Sequence, residues 1–584
     1  MTLPAADPDL PRRTIRKLDL ILLPFLSILF LVNSLDRSNI GNAETANFTR
    51  DAGLVPEDLN DAVAWFFVFF VALQPFGAAA GRKFGMSVWV PSVMTLWGIC
   101  TLLHVWVRSR AQLIVLRAVI GVLEAGFYPT TVSYLSLFYT RYEFGRRLGL
   151  FYGSYGVAGA VGGVIAYVVF SRFEEDDSSG DQVVADGSWR PWQILFLVEG
   201  ILTVAIALIG FFWLPKSAGS AWFLTAEEGA WAEERIRIDR ETSESKDRAD
   251  FSSSLASDSA GEPNFQPDED EQTRGLLSGD RIAADDEDKN LTADSGLSRP
   301  QMLSTILFLP LILPVLILNI ATAIPATGFS IFLPLVLSSM NLSSPLHSNI
   351  LTAPPFLLAS VTLYVFTHWS DKTRRRIIPI LTSLGIIILG LSLTLLISSS
   401  DSSSYSSLQA VALYLSLCIL LSGSYIPSPL TVAWFAGNIP DPGKRAIVLG
   451  INGYGNLAGV LSAYIFSSRW HDEGYRPSFW ITLAAILASC VGFFALRVVL
   501  LMINDARVRL LARWPPSEVE NEQISGLGRA SSWRTERVPV FATIGGAWWD
   551  RQARYWFGQK MLAMGAKESQ VRRGDERFTF QYGL

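Results

Sequence analysis

The sequence predicts an all-α membrane protein: twelve transmembrane helices in two pseudo-symmetric six-helix bundles. Three observations carry this reading. Half of the 584 residues are hydrophobic and only 17% are charged, whereas about one quarter of an average soluble domain is charged. Twelve apolar runs each approach the roughly 20 residues needed to cross a hydrocarbon core. A basic pair leading into a Gly-rich run occurs twice, about half a chain apart.

The runs cover residues 18–43, 61–80, 88–107, 112–138, 147–170, 193–214, 303–338, 349–367, 377–398, 408–437, 446–466 and 479–501. The seventh holds Pro310, Pro314, Pro325 and Pro334 and reads as a kinked helix, because neighbouring helices can re-satisfy backbone groups freed by Pro. The run from Leu18 is too long for a cleaved signal and reads as an uncleaved anchor. The domain plan is a cytoplasmic N-terminal tail (1–17), a first bundle (18–214), an acidic linker (215–302), a second bundle (303–501) and a C-terminal tail (502–584).

Basic residues orient the spans. Arg12, Arg13, Arg16 and Lys17 precede the first. Arg82 and Lys83 follow the second, Arg141, Arg146 and Arg147 the fourth, Lys372 and Arg374 to Arg376 the eighth, and Lys444 and Arg445 the tenth. These clusters share one side, so both termini are expected in the cytoplasm. Asn47 and Asn341, each in an Asn-x-Ser/Thr site, then fall in outer loops. The linker, with Asp268 to Glu271 and Asp285 to Asp288, is too polar to order itself beyond a short helix near 225–240. The tail carries Trp514, Trp533, Trp548 and Trp549 among many Arg, a composition that permits surface contact with lipid.

Composition also excludes function classes. The formal net charge is -5, and base is scattered between apolar runs, which is no nucleic-acid footprint. Cys100, Cys418 and Cys490 lie far apart inside apolar runs, without CxxC spacing. His104, His347, His368 and His471 are dispersed. There is no GxxxxGK[ST] loop and no nucleophile–base set. No enzyme activity, cofactor or metal is expected, and the energy source reads as an ion gradient.

The repeat pairs Arg146-Arg147 and its Gly-rich sequel with Lys444-Arg445 and its sequel. Gly81-Arg82-Lys83-Phe84-Gly85 has a counterpart in Ser370-Asp371-Lys372-Thr373-Arg374. Arg82, Lys83, Asp371 and Lys372 are therefore gate-loop candidates. In transporters built from parallel repeats, the site lies between the halves near the midplane. Gly153, Gly156, Gly159, Gly162 and Gly163 on the fifth span read either as static packing or as a sliding contact.

Charge inside the membrane points to function, because it persists mainly where it faces a cavity or a partner. The first span carries Asp36 and Arg37, the fourth Arg117 and Glu124, the sixth Glu199. Arg117 and Glu124, seven apart, share a helix face. Arg grips a carboxylate through two parallel hydrogen bonds, and a desolvated carboxyl can exchange a proton near neutral pH. Asp36 and Glu124 are thus proton-coupling candidates, and Arg37 and Arg117 candidates for binding an organic anion. The alternative for both pairs is a structural tie between helices. Tyr155, Trp434, Asn452 and Asn456 are further substrate-binding candidates, the two Asn four apart on one face. Their alternatives are packing and interhelical hydrogen bonding. Glu199, placed near the outer end beside Trp189 and Arg190, reads as structural.

Four segments carry a family resemblance: Leu35-Asp36-Arg37-Ser38-Asn39-Ile40-Gly41-Asn42-Ala43; Arg117 through Glu124 to Pro129; Trp192 to Gly200 with Leu214-Pro215 and Phe223 to Glu228; and Ala433-Trp434 through Asn438 to Ala446. With the terminal Phe578 to Tyr582, the sequence resembles the fungal allantoate-permease-like branch of the anion:cation symporters in the major facilitator superfamily. The resemblance covers most of 14–240 and 300–505. It implies a monomeric plasma-membrane symporter taking up a small organic anion (allantoate, ureidosuccinate, nicotinate, pantothenate, biotin or certain peptides) with protons. It places coupling and anion binding on Asp36, Arg37, Arg117 and Glu124. The family's acidic residue after the second span is missing here, while Asp371 keeps it in the second half. The alternative is a proton-antiport exporter of a drug or secondary metabolite. That class carries Gly-Pro before Gly-Gly in the fifth span, where this chain has Ala158-Gly159 before Gly162-Gly163. A third reading is a non-transporting sensor that signals through its long polar segments.

Overall fold

The computed structural model describes residues 9–174, 189–238, 312–340, 344–373, 375–398, 406–438, 448, 450–512, 514–517 and 519. Eleven helices among them are long and apolar enough to cross a membrane. They are α1 (Leu10–Thr45), α2 (Pro56–Gly81), α3 (Met86–Trp106), α4 (Arg110–Leu135), α5 (Phe151–Arg172), α6 (Pro191–Trp213), α7 (Ile312–Ser339), α8 (Pro345–Thr373), α9 (Ile377–Ile397) and α10 (Ser407–Phe435), with α12 at Arg476–Arg509. The crossing expected at 446–466 is broken. It has helical residues at 450–452, a 3-10 turn at Gly453–Asn456 and a short α11 at Leu457–Ile465. Three Gly between 450 and 455 account for the weak α-propensity of this stretch.

Burial is inverted relative to a soluble protein. Phe212, Leu396, Leu408 and Phe76 stand at the exposed surface, while Asp36, Arg117, Glu124 and Glu199 are inside. Lipid tails leave apolar side chains stable on the outside and force polar ones inward. α1 begins earlier than its apolar run, because the basic turn at Leu10–Lys17 joins it through a π-helical turn at Leu18–Leu22. Pro325 and Pro334 lie inside one continuous α7, and Pro310 lies outside the described residues.

In the first half, α2 packs on α4, α3 on α6 and α1 on α5; in the second, α9 packs on α10 and α12, and α8 on α10. Seams between the halves join α1 to α7, α2 to α11 and α5 to α8. Small residues set the α5–α8 distance. A Cβ on Gly163 would strike the Asn349 carbonyl and Thr352, one on Gly159 the Phe356 ring, and one on Gly156 the Ser360 hydroxyl. Gly162 faces Leu35 and Ser38 of α1 instead, and Gly153 meets nothing within 4 Å.

Twelve crossings return the chain to the face on which it starts, here termed the terminal face. At the opposite face the halves are stitched together. Asn60 of α2 donates through Nδ2 to the Ala463 and Phe466 carbonyls (2.8 and 3.1 Å). Its Oδ1 accepts from the Ser468 N–H and hydroxyl (3.0 and 2.9 Å). Asn349 Nδ2 donates to Thr45 Oγ1 at 2.8 Å. Toward the terminal face, Gly153 and Gly450 have open space where a Cβ would go. The halves are therefore joined at the opposite face.

On the terminal face, residues 226–238 form a helix docked on the first half. Lys17 pairs with Glu228 at 2.7 Å. Arg235 pairs with Glu143 at 3.0 Å and donates to the Phe138 carbonyl. Arg147 grips both carboxylate oxygens of Asp19 (2.5 and 2.7 Å). Residues 239–302 of the acidic linker, most of the C-terminal tail, Asn341 and the Lys444-Arg445 pair lie outside the described residues.

Candidate functional site

Asp36 and Arg37 are neighbours on α1, and successive helical residues point about 100° apart. They therefore serve two different sets of partners. Arg37 Nε lies 2.8 Å from Glu124 Oε2 on α4. Its guanidinium sits 4.5 Å from the Phe70 ring centre and 5.7 Å from that of Phe66, both on α2. Asp36 turns the other way. Its Oδ2 accepts from Trp97 Nε1 of α3 at 2.9 Å and from Thr203 Oγ1 of α6 at 3.1 Å.

The seven-residue spacing on α4 aims both of its charges at α1. Glu124 receives Arg37, and Arg117 Nη1 donates to the Asp36 main-chain carbonyl at 3.1 Å. Glu124 closes the first helical piece of α4, Arg110–Glu124, and the second runs Phe127–Leu135. The break falls where Gly126 meets Gly77 backbone to backbone, an approach that only Gly permits. Glu124 Oε1 accepts no hydrogen bond among the described residues, and Asn33, one turn before Arg37, lies beside it.

Exposure separates the groups. The Arg37 side chain is 13% exposed and that of Glu124 0%; Asp36 is 2% and Arg117 3% exposed. Arg37 is thus the cation of this set with an open flank, and the Phe66 and Phe70 faces beside it favour its positive charge. Arg117, read from the sequence as a second substrate-binding cation, is sealed between Asp36, Glu124 and Glu199.

The sequence reading of Glu199 needs correction. It is not a peripheral residue of the outer end. Glu199 is 1% exposed, within electrostatic reach of Asp36 and Arg117, and neither carboxylate oxygen has a hydrogen-bond partner among the described residues. α6 turns it inward because Gly200 packs against Leu102 and Gly98 against Thr203, which brings α3 and α6 close. His104, at the end of α3, joins the same region. It is fully buried, stacks on Phe196 at 4.9 Å, and its Nδ1 meets the Cys100 carbonyl at 2.8 Å.

The second half contributes polar and aromatic groups. Asn319 Nδ2 of α7 donates to Asn452 Oδ1 at 3.1 Å. Asn452 and Asn456 do not share one α-helical face, because the 3-10 turn intervenes. Asn456 Nδ2 instead folds onto the Gly453 carbonyl at 2.9 Å. Trp434 is buried and packs on Phe435 at 5.4 Å. Tyr155 reaches the seam, 5.5 Å from Tyr425 of α10 and 6.1 Å from Phe30 of α1. At the gate loops, Lys83 lies over Phe84 and Lys372 is exposed. Asp371 is held by Arg376 of its own half at 2.5 Å, and the Arg82 side chain lies outside the described residues.

A lipid-facing two-bundle scaffold with charge walled in at its centre defines a polytopic membrane transport protein. The chain belongs to the Major Facilitator Superfamily, whose family profile matches residues 26–463. It is 30% identical over 492 residues to the major facilitator-type transporter hxnP of Emericella nidulans, covering 83% of this chain and 84% of that protein. It is 26% identical over 474 residues to the high-affinity nicotinic acid transporter of Saccharomyces cerevisiae, covering 80% and 74%. The fold matches a D-xylose-proton symporter with TM-score 0.54 at 13% identity, over 81% of this chain and 96% of that chain. It also matches a partially occluded inward-open xylose transporter from E. coli with TM-score 0.53 at 12% identity, over 81% and 96%. The protein is therefore a transporter and not an enzyme.

Proposed function

We propose that this transporter imports a small carboxylated organic anion together with protons, by alternating access, as a member of the fungal allantoate-permease-like anion:cation symporters. The observation that carries the proposal is Arg37: a fork-shaped cation with one open flank, pinned by Glu124 and bordered by Phe66 and Phe70. A carboxylate arriving at the guanidinium competes with Glu124 for it. Glu124, released in a dry site, takes up a proton instead of staying charged. Anion arrival and proton uptake thereby become one event. The nicotinic acid relative supports an aromatic monocarboxylate as the first compound to try.

The terminal face is the cytoplasmic one in this reading, placing both ends inside the cell, and the plasma membrane is the expected location. Release in this reading takes place at the terminal face, away from the hydrogen-bonded seam of the opposite face. The chain works as a monomer, since each half supplies one wall of the site.

The test is uptake by transporter-deficient yeast expressing the full chain. Labelled nicotinate, pantothenate, biotin, allantoate and ureidosuccinate are compared at acid and neutral external pH. The expected result is acid-stimulated accumulation of one of these, abolished in Arg37→Ala. Uptake indifferent to pH, or resistance to toxic compounds through efflux, would overturn the reading.

A further inference from the structure

We infer that Glu199 is the proton-holding member of a second, buried carboxyl pair, Asp36/Glu199, organised around Arg117 and separate from the anion-gripping pair Arg37/Glu124. This rests on the proton-coupled reading above and deepens it, by moving a transported proton away from the substrate.

Charge balance is the first argument. The enclosed set holds three carboxyls, Asp36, Glu124 and Glu199, and two guanidinium groups, Arg37 and Arg117. Arg37 is matched by Glu124. Arg117 is left with both Asp36 and Glu199. Ionising both would leave a net negative charge in a dry interior, which is far costlier than burying a neutral carboxyl. The pair therefore holds one shared proton. His104 does not alter the balance. Its Nδ1 faces the Cys100 carbonyl, which can only accept, and its buried Nε2 has no acceptor among the described residues for a second proton, so the neutral ring is favoured.

Hydrogen bonding then decides which carboxyl carries the proton. Asp36 is furnished for charge: Trp97 Nε1 donates to it, and Thr203 Oγ1 is placed to donate as well. The Thr203 hydroxyl also lies 2.9 Å from the Glu199 main-chain carbonyl, so its single proton is shared between two acceptors. The Glu199 carboxyl receives no donor from any described residue. The charged groups within electrostatic reach of it are Asp36 from α1 and Arg117 from α4; His104 of α3 stacks on Phe196, three residues earlier on α6. A carboxyl with no donors beside one with two is where the proton resides. Arg117 acts here as a positioning residue: it donates to the Asp36 main-chain carbonyl, and its charge lies within electrostatic reach of both carboxyls.

The experiment is infrared spectroscopy of the purified full-length protein in nanodiscs at neutral pH, before and after carbon-13 labelling of glutamate carboxyls. The expected spectrum contains a protonated-carboxyl band that shifts with the label. That band is lost in Glu199→Gln, kept in Glu124→Gln, and kept at a shifted position in Glu199→Asp, with thermal unfolding followed for every variant. A band indifferent to glutamate labelling, or one that survives Glu199→Gln, overturns the assignment. In liposomes with labelled nicotinate as probe, Glu199→Gln keeps exchange across the membrane within about twofold of wild type but loses at least tenfold in accumulation driven by a pH gradient. Equal loss of both reduces Glu199 to a structural residue. A wild type inactive toward all five labelled anions, with the infrared result intact, sinks the anion assignment and leaves the proton site standing.

Discussion

Arg37 Nε and Glu124 Oε2 stand 2.8 Å apart, joining the first and fourth helices at the point where α4 breaks. Removing one partner leaves the other as an uncompensated inner charge, a loss of about 3–5 kcal/mol. Arg37→Met and Glu124→Met should each lower the unfolding temperature in detergent, and the double variant should recover most of it. Uptake is lost in all three. A double variant no more stable than the worse single one would mean the pair adds nothing as a pair.

Asn60 is the main stitch across the α2–α11 seam. Its four hydrogen bonds all cross to the second half. Neutral hydrogen bonds contribute about 1 kcal/mol each. Asn60→Leu should therefore shift the balance of the two access states at least tenfold toward opening at the opposite face. Labelling of a cysteine placed at Ser468 reads this out. Unchanged labelling would remove Asn60 from any role in closure.

The α5 stripe makes a paired prediction. Gly163→Leu drives a side chain into the Asn349 carbonyl and Thr352, so turnover should fall at least tenfold while the protein still reaches the membrane. Gly153→Ala enters open space and gains roughly 1 kcal/mol of helix propensity, so turnover stays near wild type. If the two variants behave alike, the seam does not set the distance between the halves.

The docked helix at 226–238 should respond to acid. Burial raises the Glu228 carboxyl, but the hydrogen bond from Lys17, the Thr225 N–H and the Lys17 charge together hold it below its ordinary value of 4.5. The folded value is the lower one. Its stabilisation is therefore complete above pH 4.5 and disappears as pH falls through the folded value. Limited proteolysis within 226–238 should accelerate below that range in wild type. In Lys17→Met it should be fast already at neutral pH. Cleavage rates flat from neutral to acid would rule out the dock.

Much of this architecture was legible because its signals are local. Apolar run length predicted twelve crossings, eleven of which are long helices among the described residues, and the seven-residue spacing of Arg117 and Glu124 put both on one face of α4. The unread parts depend on partners distant in sequence. Nothing near Asp36 announces Trp97 or Thr203, and nothing near Asn60 announces Ser468. Glu199 was misplaced because its neighbours Trp189 and Arg190 suggested a rim position. More than two turns of helix from Pro191 had already carried it inward, and Gly98 and Gly200 draw α3 and α6 together around it. The closely spaced Gly of 450–455 was the available clue that α11 would not run as one helix, and hydropathy averages over it.

The dock of 226–238 on the first bundle has a mechanical meaning. The connector leaving α6 is fastened at Glu228 and Arg235 before it sets out for α7, so any pull from the moving partner is taken up by Lys17 and Glu143 at the base of the first bundle. Those two ion pairs give the connector a path to the first bundle that bypasses α6 and the carboxyl it carries.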